Sequence, residues 1–216
     1  MTDRSPAAGV VLAGGYSTRF GERDKALAPV DGTPMLRRVV DRVGRVTDAV
    51  VVNCRAGQRE EFATVLADCD VPVAFAVDAV PDEGPLVGLA GALAVHDAPE
   101  TVLVACDMPF VDPAFLSFLR EERAARDADA AVPSQGEDIQ PAQAVLGTRR
   151  ARRAVRAAIA AGQTSLQSLY DRLETVSIDE EAITSRGFER SLVDVNTRDV
   201  LAARCRRRKT PGRDRR

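Results

Sequence analysis

Short apolar runs alternate with longer amphipathic stretches along most of this chain. Val10 to Leu12, Ala49 to Val52, Pro72 to Val77, Thr101 to Ala105 and Ala128 to Pro133 are compact, mostly apolar runs, as expected of buried strands. Between them, Met35, Leu36, Val39, Val40 and Val43 recur at helical spacing, which predicts a helix over 34–46. Thr33-Pro34 in front of it reads as an N-cap followed by proline at the first helical position. Further helices are expected over 57–68, from Asp112-Pro113 to about Arg126, over 149–161 and over 165–173. Gln140 to Val145 and Val176 to Ile178 complete the strands, and Phe188 to Val195 reads as a last extended segment. Strand and helix in alternation, with polar residues gathered after the strands, predict an α/β domain of three layers around a mostly parallel sheet.

The break after the first strand carries the first chemistry. Ala13, Gly14 and Gly15 end the apolar run at once, and two adjacent glycines let peptide N–H groups approach a ligand with no Cβ in the way. Arg19 and Lys25 follow on the same loop, the usual complements of a polyphosphate. A P-loop is excluded because Glu22 stands where GxxxxGK[ST] requires lysine. The dinucleotide pattern GxGxxG is excluded because Gly14 and Gly15 are contiguous. Asn53 closes the second strand at the carboxyl end, where open α/β sheets place ligand contacts. Asp107 follows the fourth strand, and a carboxylate there is a hard oxygen ligand of the kind Mg²⁺ prefers.

Leu12-Ala13-Gly14-Gly15 with Ser17, Arg19, Gly21, Asp24 and Lys25 resembles the signature loop of the molybdenum cofactor guanylyltransferases, within the nucleotide-diphospho-sugar transferase type of Rossmann-like fold. Gly84-Pro85-Leu86 with Gly88, Asp107-Met108-Pro109-Phe110 and Gln140-Pro141 resemble further segments of that family. The ending Asp194-Val195-Asn196-Thr197 is similar to the family's closing motif, with Asp194 in place of an asparagine and Arg198 in place of a proline. The resemblance spans roughly residues 8–203 and implies one antiparallel strand. It implies transfer of GMP from GTP to the phosphate of Mo-molybdopterin, giving molybdopterin guanine dinucleotide and pyrophosphate. Arg19, Lys25 and Asp107 would be catalytic, with Asp107 holding Mg²⁺. Leu12, Ala13, Gly14, Gly15, Lys25, Asn53, Asp78 and Asp107 would bind the nucleotide. Gln140, Pro141 and Asn196 would face the acceptor. At Asp78 a carboxylate can accept from both N1–H and N2–H of guanine, while a bare loop cap by the same aspartate stays open. The alternatives are a cytidylyltransferase, a guanylyltransferase of another phosphorylated acceptor, and a non-catalytic nucleotide-binding partner in cofactor delivery.

Composition narrows the setting. A chain of 216 residues, 45% of them hydrophobic, suits one domain over residues 1–203. Residues 204–216 hold eight basic residues and one acidic residue, which leaves the preceding 203 at −9 against −2 for the whole. A solvated, disordered tail is expected there, and an acidic body excludes a nucleic-acid surface. No apolar run approaches a membrane span, and no apolar leader precedes the first strand, so a cytoplasmic protein without a membrane partner is expected. Transient docking with molybdoenzymes or their chaperones fits the resemblance. Cys54, Cys69, Cys106 and Cys205 lack CxxC spacing and are expected as reduced thiols. His96 is expected at the surface and the Arg-rich face of 149–161 in solvent.

Overall fold

The computed structural model describes residues 5–15, 24–78 and 83–195. Ser17, Arg19, Gly21, Asn196, Thr197, Arg198, Cys205 and the 204–216 segment lie outside them. In chain order the elements are β1 (Ala7–Leu12), β2 (Pro29–Val30), β3 (Thr33–Pro34), α1 (Met35–Gly44), β4 (Ala49–Cys54), α2 (Arg59–Leu66) and β5 (Val73–Val77). They continue as α3 (Pro85–Val95), β6 (Glu100–Ala105), α4 (Pro113–Ala125), β7 (Ala130–Gln135), β8 (Asp138–Ile139) and β9 (Gln143–Gly147). The last are α5 (Thr148–Ala160), α6 (Gln167–Tyr170), β10 (Thr175–Ile178) and α7 (Glu180–Thr184). Three short 3₁₀ turns lie at Lys25–Leu27, Ala56–Gln58 and Glu189–Leu192.

The main sheet runs β10-β7-β9-β6-β1-β4-β5, with β8 paired to β7. β9 is antiparallel to both β6 and β7, and the rest of that path is parallel. The central strands are apolar on both faces, and the period-2 alternation divides their residues between two cores. Val11, Val52, Val104 and Val145 face Leu36, Val40, Phe62, Phe115 and Leu119 of α1, α2 and α4. Val10, Val51, Leu103 and Leu146 face Leu86, Leu89, Val155 and Leu169 of α3, α5 and α6. The expected three layers are therefore present.

Local departures from the sequence expectations have identifiable causes. Asp31-Gly32 adopts φ of 49° and 85° and closes a hairpin, so Thr33 pairs with Val30 instead of capping α1, and Pro34 takes the cap position. Phe188 to Val195 is not extended. Phe188 packs on Phe115 at 5.2 Å between ring centroids, and the backbone turns through a 3₁₀ helix behind it. Asp179 caps α7 by accepting from Ala182 N–H, a helix too short for periodicity to reveal. Ser134 and Gln135 extend β7 beyond the expected end at Pro133 into a hairpin with β8 across Gly136. Asn53 lies within β4, with Cys54 after it.

Candidate functional site

β1 lies between β4 and β6, so the chain order reverses at β1 and leaves a crevice beyond the carboxyl ends of β1 and β6. Leu12 O accepts from Cys106 N–H at 2.9 Å, and Ala13 N–H donates to Asn53 O at 3.0 Å, pinning the end of β1 on both sides. Beyond that point, among the described residues, neither the Gly14 nor the Gly15 N–H meets an acceptor. Two unspent donors at the mouth of a crevice make an anion-binding edge.

Gly14 is required by its neighbours. A Cβ there would stand 2.5 Å from Asp78 Oδ2 and 3.0 Å from Asn53 Oδ1. Asn53 is buried and donates from Nδ2 to Asp78 Oδ1 at 2.6 Å and to Ala76 O at 3.3 Å. A Cβ on Gly88 of α3 would stand 2.5 Å from Asn53 Oδ1. The predicted residues Gly14, Asn53 and Asp78 thus form one contact group, and Asn53 sets the direction of the Asp78 carboxylate.

On the other flank, Asp24 caps the 3₁₀ turn by accepting from Ala26 N–H at 2.9 Å, which presents Lys25 to the crevice. Lys25 Nζ lies 3.0 Å from Asp107 Oδ2, with the side chains 15% and 30% exposed. A cation and a carboxylate from segments 82 residues apart meet where ligand can still reach them. Among the described residues, no three His, Cys, Asp or Glu side chains converge as a metal cage. Cys106 and Cys54 border the site, but burial pushes the Cys106 thiol well up and the Cys54 thiol up to about 11, so neither is a nucleophile at neutral pH.

Gln140 and Pro141, predicted on the acceptor side, are brought toward Asp107 because β9 pairs with β6. Ala105 N–H donates to Ala142 O at 2.8 Å. Gln140 Nε2 donates to Gln135 Oε1 at 3.1 Å, and Pro141 O accepts from the Tyr170 hydroxyl at 2.7 Å. Burial pushes the Tyr170 phenol up, so that hydroxyl stays a donor. Val195 N–H donates to Asp107 O at 2.8 Å, which brings the closing segment to the same loop, one residue short of Asn196. Arg19 and Asn196 lie outside the described residues. His96 is half-buried with its Nε2 3.4 Å from Thr101 Oγ1, away from these groups.

Sequence reasoning missed Gln58. Buried at the start of α2, it donates to Ala13 O and to Asp24 Oδ2. Only the fold brings a polar residue at a helix entrance to the loop after β1, and the local pattern contains no signal for it.

Residues 9–176 match the model of the MobA-like NTP transferase domain family. A relative from Natronomonas pharaonis, named "Probable molybdenum cofactor guanylyltransferase", is 38% identical over 89% of this chain and 94% of its own length. One from Burkholderia vietnamiensis, named "Molybdenum cofactor guanylyltransferase", is 31% identical over 92% of this chain and 95% of its own. Among solved structures, molybdopterin-guanine dinucleotide biosynthesis protein A from Archaeoglobus fulgidus superposes with a TM-score of 0.74 at 24% identity. That match covers 91% of this chain and 95% of the other.

Proposed function

Since this chain belongs to the MobA-like NTP transferases, the family of the molybdenum cofactor guanylyltransferases, we propose that it moves GMP from GTP onto the phosphate of Mo-molybdopterin. An acceptor phosphate oxygen forms a bond to the α-phosphorus as the bond from that phosphorus to the bridging oxygen of the β-phosphate breaks. Pyrophosphate leaves with its electron pair, and molybdopterin guanine dinucleotide remains. The observation that carries this reading is the Lys25–Asp107 pair after β6, beside the end of β1 that leads into the two unspent glycine amides, at the reversal of strand order.

The Gly14 and Gly15 amides and Lys25 neutralise charge that builds on the leaving group, and Arg19 is assigned the same task. Asp78, aimed by Asn53, takes the guanine edge. Gln140, Pro141 and Asn196 line the acceptor side. Mg²⁺ is commonly held by one or two carboxylates together with substrate phosphates, so a single carboxylate, Asp107, fits a metal that arrives with the triphosphate. Bound there, the ion would supply charge neutralisation on phosphate oxygens. No helix among the described residues is long and apolar enough to cross a membrane, and the proposed setting is the cytoplasm.

The test incubates the purified protein with Mo-molybdopterin, Mg²⁺ and each nucleoside triphosphate in turn, with the dinucleotide assayed by mass. GTP alone is expected to give product. Equal product with CTP would reassign the base, and no product with any triphosphate would leave a binding protein.

A further inference from the structure

Gln58 enters the site from the connection between β4 and α2. The 3₁₀ turn at Ala56–Gln58 folds the chain back, with Gln58 N–H donating to Arg55 O at 3.0 Å and Arg55 N–H donating to Gln58 Oε1 at 2.8 Å. That second bond fixes the amide orientation. A flipped amide would set N–H against N–H on one side and oxygen against oxygen on the other. With Oε1 committed to Arg55, both Nε2 donors point the opposite way, to Ala13 O at 3.3 Å and to Asp24 Oδ2. The side chain is 6% exposed, so these bonds form away from competing water.

Its two acceptors sit at opposite ends of the nucleotide loop. Ala13 precedes the glycines whose amides are unspent, and Asp24 precedes Lys25. The other Asp24 oxygen, Oδ1, holds Ala26 N–H, so the bond from Gln58 is passed directly to the turn that carries Lys25. Arg55 braces the same carboxylate at 3.5 Å. We infer that Gln58 is a positioning residue: its one carboxamide ties Ala13 to Asp24, and so holds the Gly14-Gly15 amides and Lys25 at the spacing a triphosphate needs. It touches no reacting atom. Its contribution is a loop already in the bound geometry, where a misplacement of an ångström is costly.

The kinetic part of this inference rests on the proposed transfer reaction, while its structural part can be read without substrate. Gln58→Glu keeps the size of the side chain and its acceptor for Arg55 N–H. It removes both donors and sets a carboxylate against Asp24. Hydrogen exchange at Ala13 and Ala26, whose N–H groups are bonded to Asn53 O and Asp24 Oδ1, is expected to quicken by about tenfold or more, since both amides lose their fixed frame. The kcat/KM for GTP is expected to fall by about tenfold or more while the KM for the acceptor stays. Lowering the pH should shrink the deficit, because the introduced carboxyl, once protonated, donates to Asp24 again. Adding Asp24→Asn to Gln58→Glu reverses donor and acceptor at that end and should recover part of the loss, because Ala13 O still lacks its donor. Gln58→Met, uncharged and of similar length, is the variant to use if Gln58→Glu fails to fold; it should show the same fold increase in exchange at a given pH, and its kinetic deficit should not change with pH. Exchange at the wild-type rate in either variant would overturn the inference. So would a kinetic deficit of Gln58→Glu that is constant with pH and untouched by Asp24→Asn. If the wild-type protein transfers no guanylyl group, the exchange measurement still decides whether Gln58 holds the loop.

Discussion

Glu100 and Asp107 stand at the two ends of β6, and their surroundings differ in a way that separates structure from chemistry. Glu100 is 3% exposed, and both of its oxygens are taken, Oε2 by Arg120 and Oε1 by Arg123 at 2.8 Å. Arg120 is itself fully engaged, donating also to Val46 O at 2.8 Å and Ser5 O at 2.7 Å. This closed network binds α4, the turn after α1 and the entry to β1 at the amino end of the sheet. Asp107 has one described partner, Lys25, and keeps 30% of its side chain exposed. A buried carboxylate with both oxygens held by guanidinium groups has nothing to offer a ligand. One paired with a single lysine can exchange that partner for a substrate complex.

The largest expected effect belongs to the closed end. Glu100→Gln keeps the shape but leaves two guanidinium groups, one of them buried, without their countercharge. Unfolding free energy in urea should drop by about 3 kcal/mol, within the range for breaking a buried pair, while the folded fraction keeps its specific activity. If stability holds, the two ends of β6 are not different in kind.

Next is the open end. Asp107→Asn should lower guanylyl transfer by about 10² or more for a lost source of charge stabilisation, and shift the Mg²⁺ midpoint upward. Its stability should change by less than about 1 kcal/mol, as for a partly exposed ion pair. Near wild-type transfer at an unchanged Mg²⁺ midpoint would make Asp107 structural, like Glu100.

The smallest effect refines the amino-end boundary, where His96 packs on Thr101 in β6. Burial lowers the His96 pKa below its ordinary 6.5, and Arg152 adds to the shift. The unfolded chain therefore binds the proton more readily, so stability is present above about pH 6.5 and declines as pH falls through that value toward the folded pKa. His96→Gln should flatten this part of the stability profile and leave transfer at neutral pH unchanged. An unaltered slope would place the titrating group elsewhere.

Much of the site could be read from residues alone because its parts are local. Glycines that break a strand, an aspartate after another strand and a lysine in a short loop advertise themselves through backbone requirements and charge. The strands and most helices were legible for the same reason, since hydrophobic period reports burial along a segment. The extended reading of Phe188 to Val195 failed because a ring stacked on Phe115, far away in the chain, decides the backbone there.

By itself, then, the sequence determined the alternation of strand and helix and the apolar character of the central strands, and it pointed to Gly14, Gly15 and Lys25 as candidate anion-binding residues and to Asp107 as a candidate metal ligand. Tertiary structure alone decided that β6 lies beside β1, that β9 enters between β6 and β7 in the reverse direction, and that Lys25 meets Asp107. It also decided which carboxylate of β6 is saturated and which is open, and that Gln58 reaches both ends of the nucleotide loop. The physical reason is that periodicity and composition record how much of a residue is buried, whereas hydrogen-bond partners depend on which segments the packed layers bring within about 3 Å of each other.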